Sequence, residues 1–236
     1  VTAKANAGKA LEIVVDGQTY QRIPIKTRVV VKGDDLHEIV RTYAASEVQE
    51  GDILFVTEKI VAITQGRSYH LSEIQPRPLA TTLSKYVTRT PAGIGLGMPE
   101  TMEMALRECG TPRILFASAV AAITKQFGRR GDFYRIAGEQ ARGIDGPTEG
   151  TIPPYDESVV LTPLHADRVA IDLKILLGNK LDVLISDMND LGGNILGSTR
   201  PHAENEKWVR ILKDNPLGQG AESTPMGIIR PVEAKN

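Results

Sequence analysis

LDVLISDMNDLGGNILG, residues 181–197, is the stretch whose reading decides the fold. Leu181, Val183, Leu184 and Ile185 form an apolar run that stops at Asp187; Asp190 follows, then the pair Gly192-Gly193. A short run of this kind, rich in β-formers, reads as a buried strand. Its end delivers a carboxylate and a flexible loop to the edge of a sheet, where α/β proteins usually bind ligands. Asp187 is then either a ligand at that edge or the cap of a turn, and the stretch by itself leaves both open.

Working outward, residues 158–167 (SVVLTPLHAD) lead into a helix over 167–177 that Gly178 ends. His165 stands near Asp167 in that approach. After the quoted stretch come a polar helix over 204–213, a Gly-rich segment NPLGQGAESTP and the apolar MGII. Toward the N-terminus, LEIVVDG and QTYQRI read as a hairpin turning at Asp16-Gly17. Pro24 interrupts the next segment, and residues 28–31 read as a further strand. Gly33-Asp34-Asp35 opens a helix with an apolar stripe of Leu36, Ile39, Val40, Tyr43 and Ala44. Residues 53–56 are a strand, and TEKIVAITQGR closes at Gly66. Pro76 and Pro78, Pro99, and Pro112 each start a helix; the last, through ILFASAVAAI, is apolar enough to be expected buried. Residues 125–132 (KQFGRRGD) read as a basic loop and FYRIAG as a strand. Residues 141–157 form a long Gly- and Pro-rich segment of the kind that often carries function.

Strands alternate with helices without the regular spacing of a doubly wound fold, so the expectation is α/β (α+β) with a mixed sheet. The chain of 236 residues reads as one unit over 1–236, with two lobes open as an alternative at no fixed boundary. A hydrophobic share of 41% and a charged share of 24% suit a globular protein, and a net charge of -1 gives no basic surface for nucleic acid. The single cysteine, Cys109, excludes an intrachain disulfide framework and a Cys-rich zinc site. No apolar run reaches the roughly 18 residues of a membrane span. No signal-peptide pattern is visible, although the chain starts at Val1 rather than Met. The default expectation is a cytoplasmic protein without membrane partners.

Candidate chemistry lies on the loops. Gly93, Gly95 and Gly97 have the wrong spacing for a dinucleotide fingerprint and read as a hinge or turn, which makes a nicotinamide or flavin oxidoreductase a poor fit. GGNILGST (192–199) has the glycine spacing of a P-loop but no lysine; a Gly-rich anion-binding turn stays open. Asp145 sits on one segment and Asp187 with Asp190 on another, as carboxylates holding Mg²⁺ or Mn²⁺ against a nucleotide phosphate would, though such aspartates also serve ordinary turns. Lys125, Arg129 and Arg130 flank glycines and suit an anionic substrate or a solvated loop. The four histidines share no metal-ligand spacing, and no nucleophile elbow is present.

Six segments together resemble the coenzyme F-420 γ-glutamyl ligase family from about Ile23 to Arg230: IPIKTRVVVKGDDLHEIV, GDILFVTEKIVAITQGR, ARGIDG, TPLHAD, VLISDMND and LGQGAESTPMGIIR. Their order and spacing match, which is more specific than any one motif. The resemblance implies a two-lobed mixed-sheet fold and addition of L-glutamate, in γ linkage, to a carboxylated deazaflavin precursor. GTP (or ATP), Mg²⁺ or Mn²⁺ and a monovalent cation, K⁺, would take part, in a homodimer. It places Asp145 and Asp187 at the family's metal-binding aspartates. Ile23, Pro24, Ile25 and Lys26 fall on its N-terminal nucleotide turn, and Glu58 and Lys59 on its second nucleotide contact. Gly218, Gln219 and Gly220 fall on its C-terminal nucleotide loop, with Gln219 where an acidic metal ligand stands. Thr148 replaces a nucleotide-contacting asparagine, Ile63 a lysine and Met188 a metal-binding threonine.

The implied chemistry phosphorylates a carboxylate and lets an amine attack the acyl phosphate, so the protein's work is positioning and charge neutralisation. Lys125, Arg129, Arg130 or Arg142 would clamp substrate carboxylates, and the amine's proton would pass to solvent or to a nearby carboxylate such as Asp190. The competing reading is a non-catalytic nucleotide- and metal-binding protein on the same scaffold, which Gln219, Met188 and Ile63 favour.

Overall fold

The decisive stretch is two strands of a hairpin. The computed structural model describes residues 3–87, 95–129, 131–147, 151–189, 192–218 and 220–232. In chain order the first elements are β1 (Glu12–Val15), β2 (Gln18–Ile25), α1 (Leu36–Tyr43), β3 (Ile53–Thr57) and α2 (Glu58–Thr64). Next come β4 (Ser68–His70), α3 (Pro78–Ser84), α4 (Pro99–Glu108), α5 (Thr111–Gln126), α6 (Asp132–Ala137), α7 (Glu139–Arg142) and β5 (Ser158–Val160). The chain closes with α8 (Ala166–Leu176), β6 (Asp182–Asn189), β7 (Gly192–Ser198), α9 (Asn205–Leu212) and β8 (Met226–Pro231). Contacts divide it into two compact units, Val1–Gly66 with Pro163–Asn236, and Arg67–Thr162. The second is thus inserted between α2 and α8 of the first. No helix among the described residues is long and apolar enough to cross a membrane.

The first unit is built on a six-stranded sheet in the order β1-β2-β8-β3-β6-β7. Only β3 and β6 run parallel; the other neighbours are antiparallel, so the sheet is mixed, as expected. β6 reads as an unbroken apolar run because both of its faces are covered: Val183, Leu184 and Ile185 are all fully buried. On one face Phe55, Leu184, Ile195 and Ile229 pack with Trp208, Ile211 and Leu212 of α9. On the other, α8 lies against β6 and β7. β1 and β2 turn at Asp16 (φ 54°) and Gly17 (φ 78°), the two left-handed residues that a type I′ hairpin turn requires.

Several expectations are corrected here. Pro24 does not interrupt β2 but pairs with Gly227 of β8. Its missing N–H faces the β1 side, where pairing with β1 stops at Gln21 and the last backbone bond is Arg22 N to Leu11 O, so nothing is lost. Residues 28–31 form no strand: the Asp34 carboxylate takes the N–H of Val31 and the Arg28 guanidinium, which bends the segment into a turn. α1 begins where expected, with Asp35 accepting from His37 N.

The second unit is mainly helical, with a short β4–β5 pair. Met102, Met104, Leu106, Ile114, Ile144, Val159 and Leu161 form its core. Residues 133–137, expected as a strand, belong to α6: Gly131 and Gly138 bracket a single apolar turn, with Asp132 at its N-terminal end and Arg135 at its C-terminal end. α5 is not buried as expected. Only Ile114 and Ala117 are, whereas Phe116 is 63% and Ile123 59% exposed. α5 also runs through Lys125, so the basic loop starts later than expected.

Glu103 on α4 is a buried charge of this unit. Burial opposes its ionisation, but hydrogen bonds from Arg77 (3.0 Å) and Arg107 (2.8 Å) outweigh that and hold its carboxyl below the ordinary glutamate value. A carboxyl depressed in the folded state adds stability above its unfolded pKa, and loses it as pH falls through the folded value. Acid titration of unfolding should therefore show Glu103→Gln less stable than the parent at neutral pH, with the gap closing below the ordinary glutamate range. A gap constant with pH would refute this.

Candidate functional site

The site begins with strand direction. β3 and β6 are parallel, with Thr57 opposite Ser186, so the next residues, Glu58 and Asp187, leave neighbouring positions at the C-terminal ends of two adjacent strands. β8 starts at the same edge, pairing Met226 with Val56 and with Ile25. That register brings residues 23–26 and residues 223–225 to the edge as well. Pro225 O accepts from Thr57 N at 3.0 Å, and Ser223 O from Thr27 N at 2.8 Å. Three segments singled out in the sequence therefore meet within the first unit, namely Ile23, Pro24, Ile25 and Lys26, then Glu58 and Lys59, then Asp187, and residues 223–225 of the tail segment join them. Lys26 is exposed there, and Glu58, Lys59 and Asp187 are half-buried.

Asp187 does not end its strand. β6 continues to Asn189, with Asp187 opposite Asn194 and Met188 opposite Gly193. One residue earlier the register slips: Ile185 faces Gly197 but Ser186 faces Ile195, a bulge that places Leu196 out of step. Bulges of this kind re-aim side chains at sheet edges. GGNILGST is consequently no anion-binding turn, because residues 192–198 are β7 and pair with β6. Its glycines answer to packing. A Cβ on Gly193 would stand 2.1 Å from Asp187 O, and one on Gly197 2.3 Å from Ala166 C.

The base of the 218–225 loop is held by groups that carry no sequence signature. Asn6 donates to Leu217 O (2.9 Å) and to Thr224 Oγ1 (2.8 Å), and that hydroxyl donates to Leu217 O at 2.8 Å. Asn215 Nδ2 reaches Gly218 O at 2.9 Å. Behind the loop, fully buried Arg22 meets Asp214, with Nη2 to Oδ2 at 3.1 Å, and also donates to Ala10 O and Ile211 O. Burial works against the Asp214 carboxylate, yet the Arg22 bonds dominate and keep it below the ordinary aspartate value. Two N–H groups of the loop are engaged: Gly218 N donates to Asn215 O at 3.0 Å, and Gly220 N to Glu222 Oε2 at 2.8 Å.

Asp145 belongs to the second unit. Its backbone is clamped to Val160 by two hydrogen bonds of 2.9 Å, and Gly143 is pressed on Thr162, whose Oγ1 a Cβ would meet at 2.3 Å. Lys125 ends α5, Arg129 pairs with Asp132 (3.1 Å) and Arg142 with Glu139 (3.0 Å), all in that unit. Thr148, Asp190, Gln219, Arg130 and Gly93 lie outside the described residues. Asp167 accepts from Ser198 N at 2.9 Å and so ties α8 to β7. Among the described residues no three His, Cys, Asp or Glu side chains form a ready-made metal cage. One or two carboxylates with phosphate and water suffice for Mg²⁺, and the half-buried carboxylate of Asp187 at the sheet edge fits that donor chemistry.

A known family covers most of these segments, though not the tail loop. The family described as F420-0:Gamma-glutamyl ligase matches residues 24–191. A coenzyme F420:L-glutamate ligase of Methanopyrus kandleri is 28% identical over 169 residues, or 70% of this chain. The match spans 57% of that relative's length. With residues 24–191 matched, the chain belongs to the F420-0:gamma-glutamyl ligase family.

Proposed function

We propose that the protein is a γ-glutamyl ligase: it joins L-glutamate, through its amine, to a carboxylated acceptor of the coenzyme F420 precursor class at the expense of GTP or ATP. The observation that carries this reading is the meeting of residues 23–26, Glu58-Lys59, Asp187 and residues 223–225 at one edge of a sheet. Family membership supports it.

In this reading the terminal phosphoryl group of the nucleotide passes to the acceptor carboxylate and the nucleoside diphosphate leaves. The amine then attacks the acyl carbon, and phosphate departs as the amide forms. The 218–225 loop and Lys59 hold the phosphates, and Lys26 offsets charge at the rim. Asp187 would hold a divalent cation, Mg²⁺ or Mn²⁺, whose charge would offset that of the phosphates, and the resemblance gives Asp145 a metal-binding role as well. Arg129 and Arg142 attract the anionic substrates. Homodimer formation and a cytoplasmic location follow the resemblance and are part of the proposal.

The test is a coupled assay on the purified protein. Nucleoside diphosphate and phosphate should appear only when GTP or ATP, Mn²⁺, L-glutamate and the acceptor are all present. Metal-dependent thermal stabilisation by nucleotide without turnover would instead favour the binding-only reading. Absence of both would overturn the proposal.

A further inference from the structure

We propose that Asn6 is a positioning residue: through Thr224 it fixes residues 223–225, which fasten the Lys26 and Glu58-Lys59 segments together, and so it sets how tightly the sheet edge holds a nucleotide. This rests on reading that edge as the nucleotide site. Residues 223–225 reach both segments through the main chain. Ser223 O accepts from Thr27 N, next to Lys26, at 2.8 Å, and Pro225 O accepts from Thr57 N, next to Glu58, at 3.0 Å. Thr224 lies between those two carbonyls and is buried. Its Oγ1 accepts from Asn6 Nδ2 at 2.8 Å and donates to Leu217 O at 2.8 Å. Asn6 Nδ2 also reaches Leu217 O at 2.9 Å. Asn6, Leu217 and Thr224 thus close a ring of hydrogen bonds that joins the two ends of the tail loop.

The ring matters because its neighbour is strained. Ser223 has φ 54°, a left-handed conformation that a residue other than glycine keeps only where its surroundings enforce it. With Thr224 pinned on one side and Pro225 bonded on the other, Ser223 cannot relax, and its carbonyl stays on Thr27 N. Release of Thr224 lets Ser223 return to an ordinary conformation, and the bond that ties the Lys26 segment to the tail goes with it. The free protein then spends less time with both segments in place, and apparent nucleotide affinity falls in proportion. The chain that carries Asn6 is docked independently of this ring. Lys9 Nζ donates to Asp214 O at 2.7 Å, and Ala10 O accepts from Arg22 Nη2 at 2.7 Å. Loss of the Asn6 amide therefore opens the ring without freeing the segment.

The test compares wild type with Asn6→Ala, Thr224→Val and Thr224→Ser. Valine keeps the shape of threonine and loses the hydroxyl; serine keeps the hydroxyl. Calorimetric titration with GDP and Mn²⁺ should show Asn6→Ala and Thr224→Val binding about tenfold more weakly, and Thr224→Ser within about twofold of wild type. In the ligand-free protein, amide hydrogen exchange at Thr27 and Thr57 should quicken in the two weak binders and not in Thr224→Ser. Should Asn6→Ala fail to fold, the contrast between valine and serine at position 224 carries the same test. Faster exchange with GDP affinity unchanged would make the ring a structural brace only and overturn the proposal. GDP binding equal in all four proteins, with exchange unchanged, would overturn it too while the nucleotide site stands. If GDP with Mn²⁺ does not bind wild type, the nucleotide site falls and the positioning role falls with it.

Discussion

Gly197→Ala is expected to lower the unfolding free energy by about 4 kcal/mol. The new methyl group would stand 2.3 Å from Ala166 C, 2.4 Å from Ala166 O and 2.7 Å from Asp167 N. These are main-chain atoms at the start of α8, so no side chain can swing away. Nor can the strand and helix part freely, because Asp167 Oδ1 accepts from Ser198 N at 2.9 Å, one residue along. Either α8 lifts off the sheet, exposing part of the apolar face under Ala170 and Leu173, or β7 shifts in register. Urea denaturation followed by circular dichroism measures the loss. A midpoint equal to the parent's would mean that α8 does not rest on this strand.

Asp187→Asn should lower kcat/KM of the proposed ligase about a thousandfold, or about 4 kcal/mol in transition-state stabilisation. The substitution keeps size and hydrogen-bonding capacity but removes the charge that a divalent cation and the transferring phosphoryl group would need. Stability should change little, because the residue is half-buried at a sheet edge and its strand is anchored farther in by Val183, Leu184 and Ile185. Product release assayed at saturating nucleotide across a Mn²⁺ series reads the effect. Asp182→Asn, on the same strand, is the comparison. Burial disfavours the Asp182 carboxylate, but Lys174 and Thr199 outweigh this and keep its pKa below the ordinary value. Its loss should cost stability and leave turnover near the parent's. Turnover retained in Asp187→Asn would sink the metal-ligand role.

Much of the scaffold is written in local pattern. The apolar run of β6, the Asp16-Gly17 turn and the Asp35 cap each carry their cause within a few residues. What pattern cannot carry is the partner. α5 is apolar, yet apolarity does not say what covers Phe116 or Ile123. FYRIA is too short for period to separate helix from strand, and the flanking glycines decided it. GGNILGST shows glycines whose purpose is close approach to Asp187 and Ala166, a purpose visible only after folding. The same holds at the site. Segments 23–26 and 58–59 were legible through the resemblance, and their shared edge follows from register. Asn6 was not, because it acts on loop backbone more than 200 residues away.

The insertion of Arg67–Thr162 between α2 and α8 has a bearing on how the chain assembles. Within the first unit, Gln65 grips Leu164 from both sides, donating to its O at 2.9 Å and accepting from its N at 2.8 Å. Within the second, Arg67 Nε donates to Thr162 O at 2.7 Å, and Arg67 O accepts from Leu161 N at 3.0 Å. Each unit thus fastens its own side of the junction, and the chain leaves and re-enters at neighbouring points. A guest whose ends already touch behaves toward its host as a short loop. The host's parallel pair β3 and β6 then forms without the closure entropy of a long flexible excursion. Such a host tolerates changes of length and sequence in its guest, as a fold tolerates insertions in a surface loop.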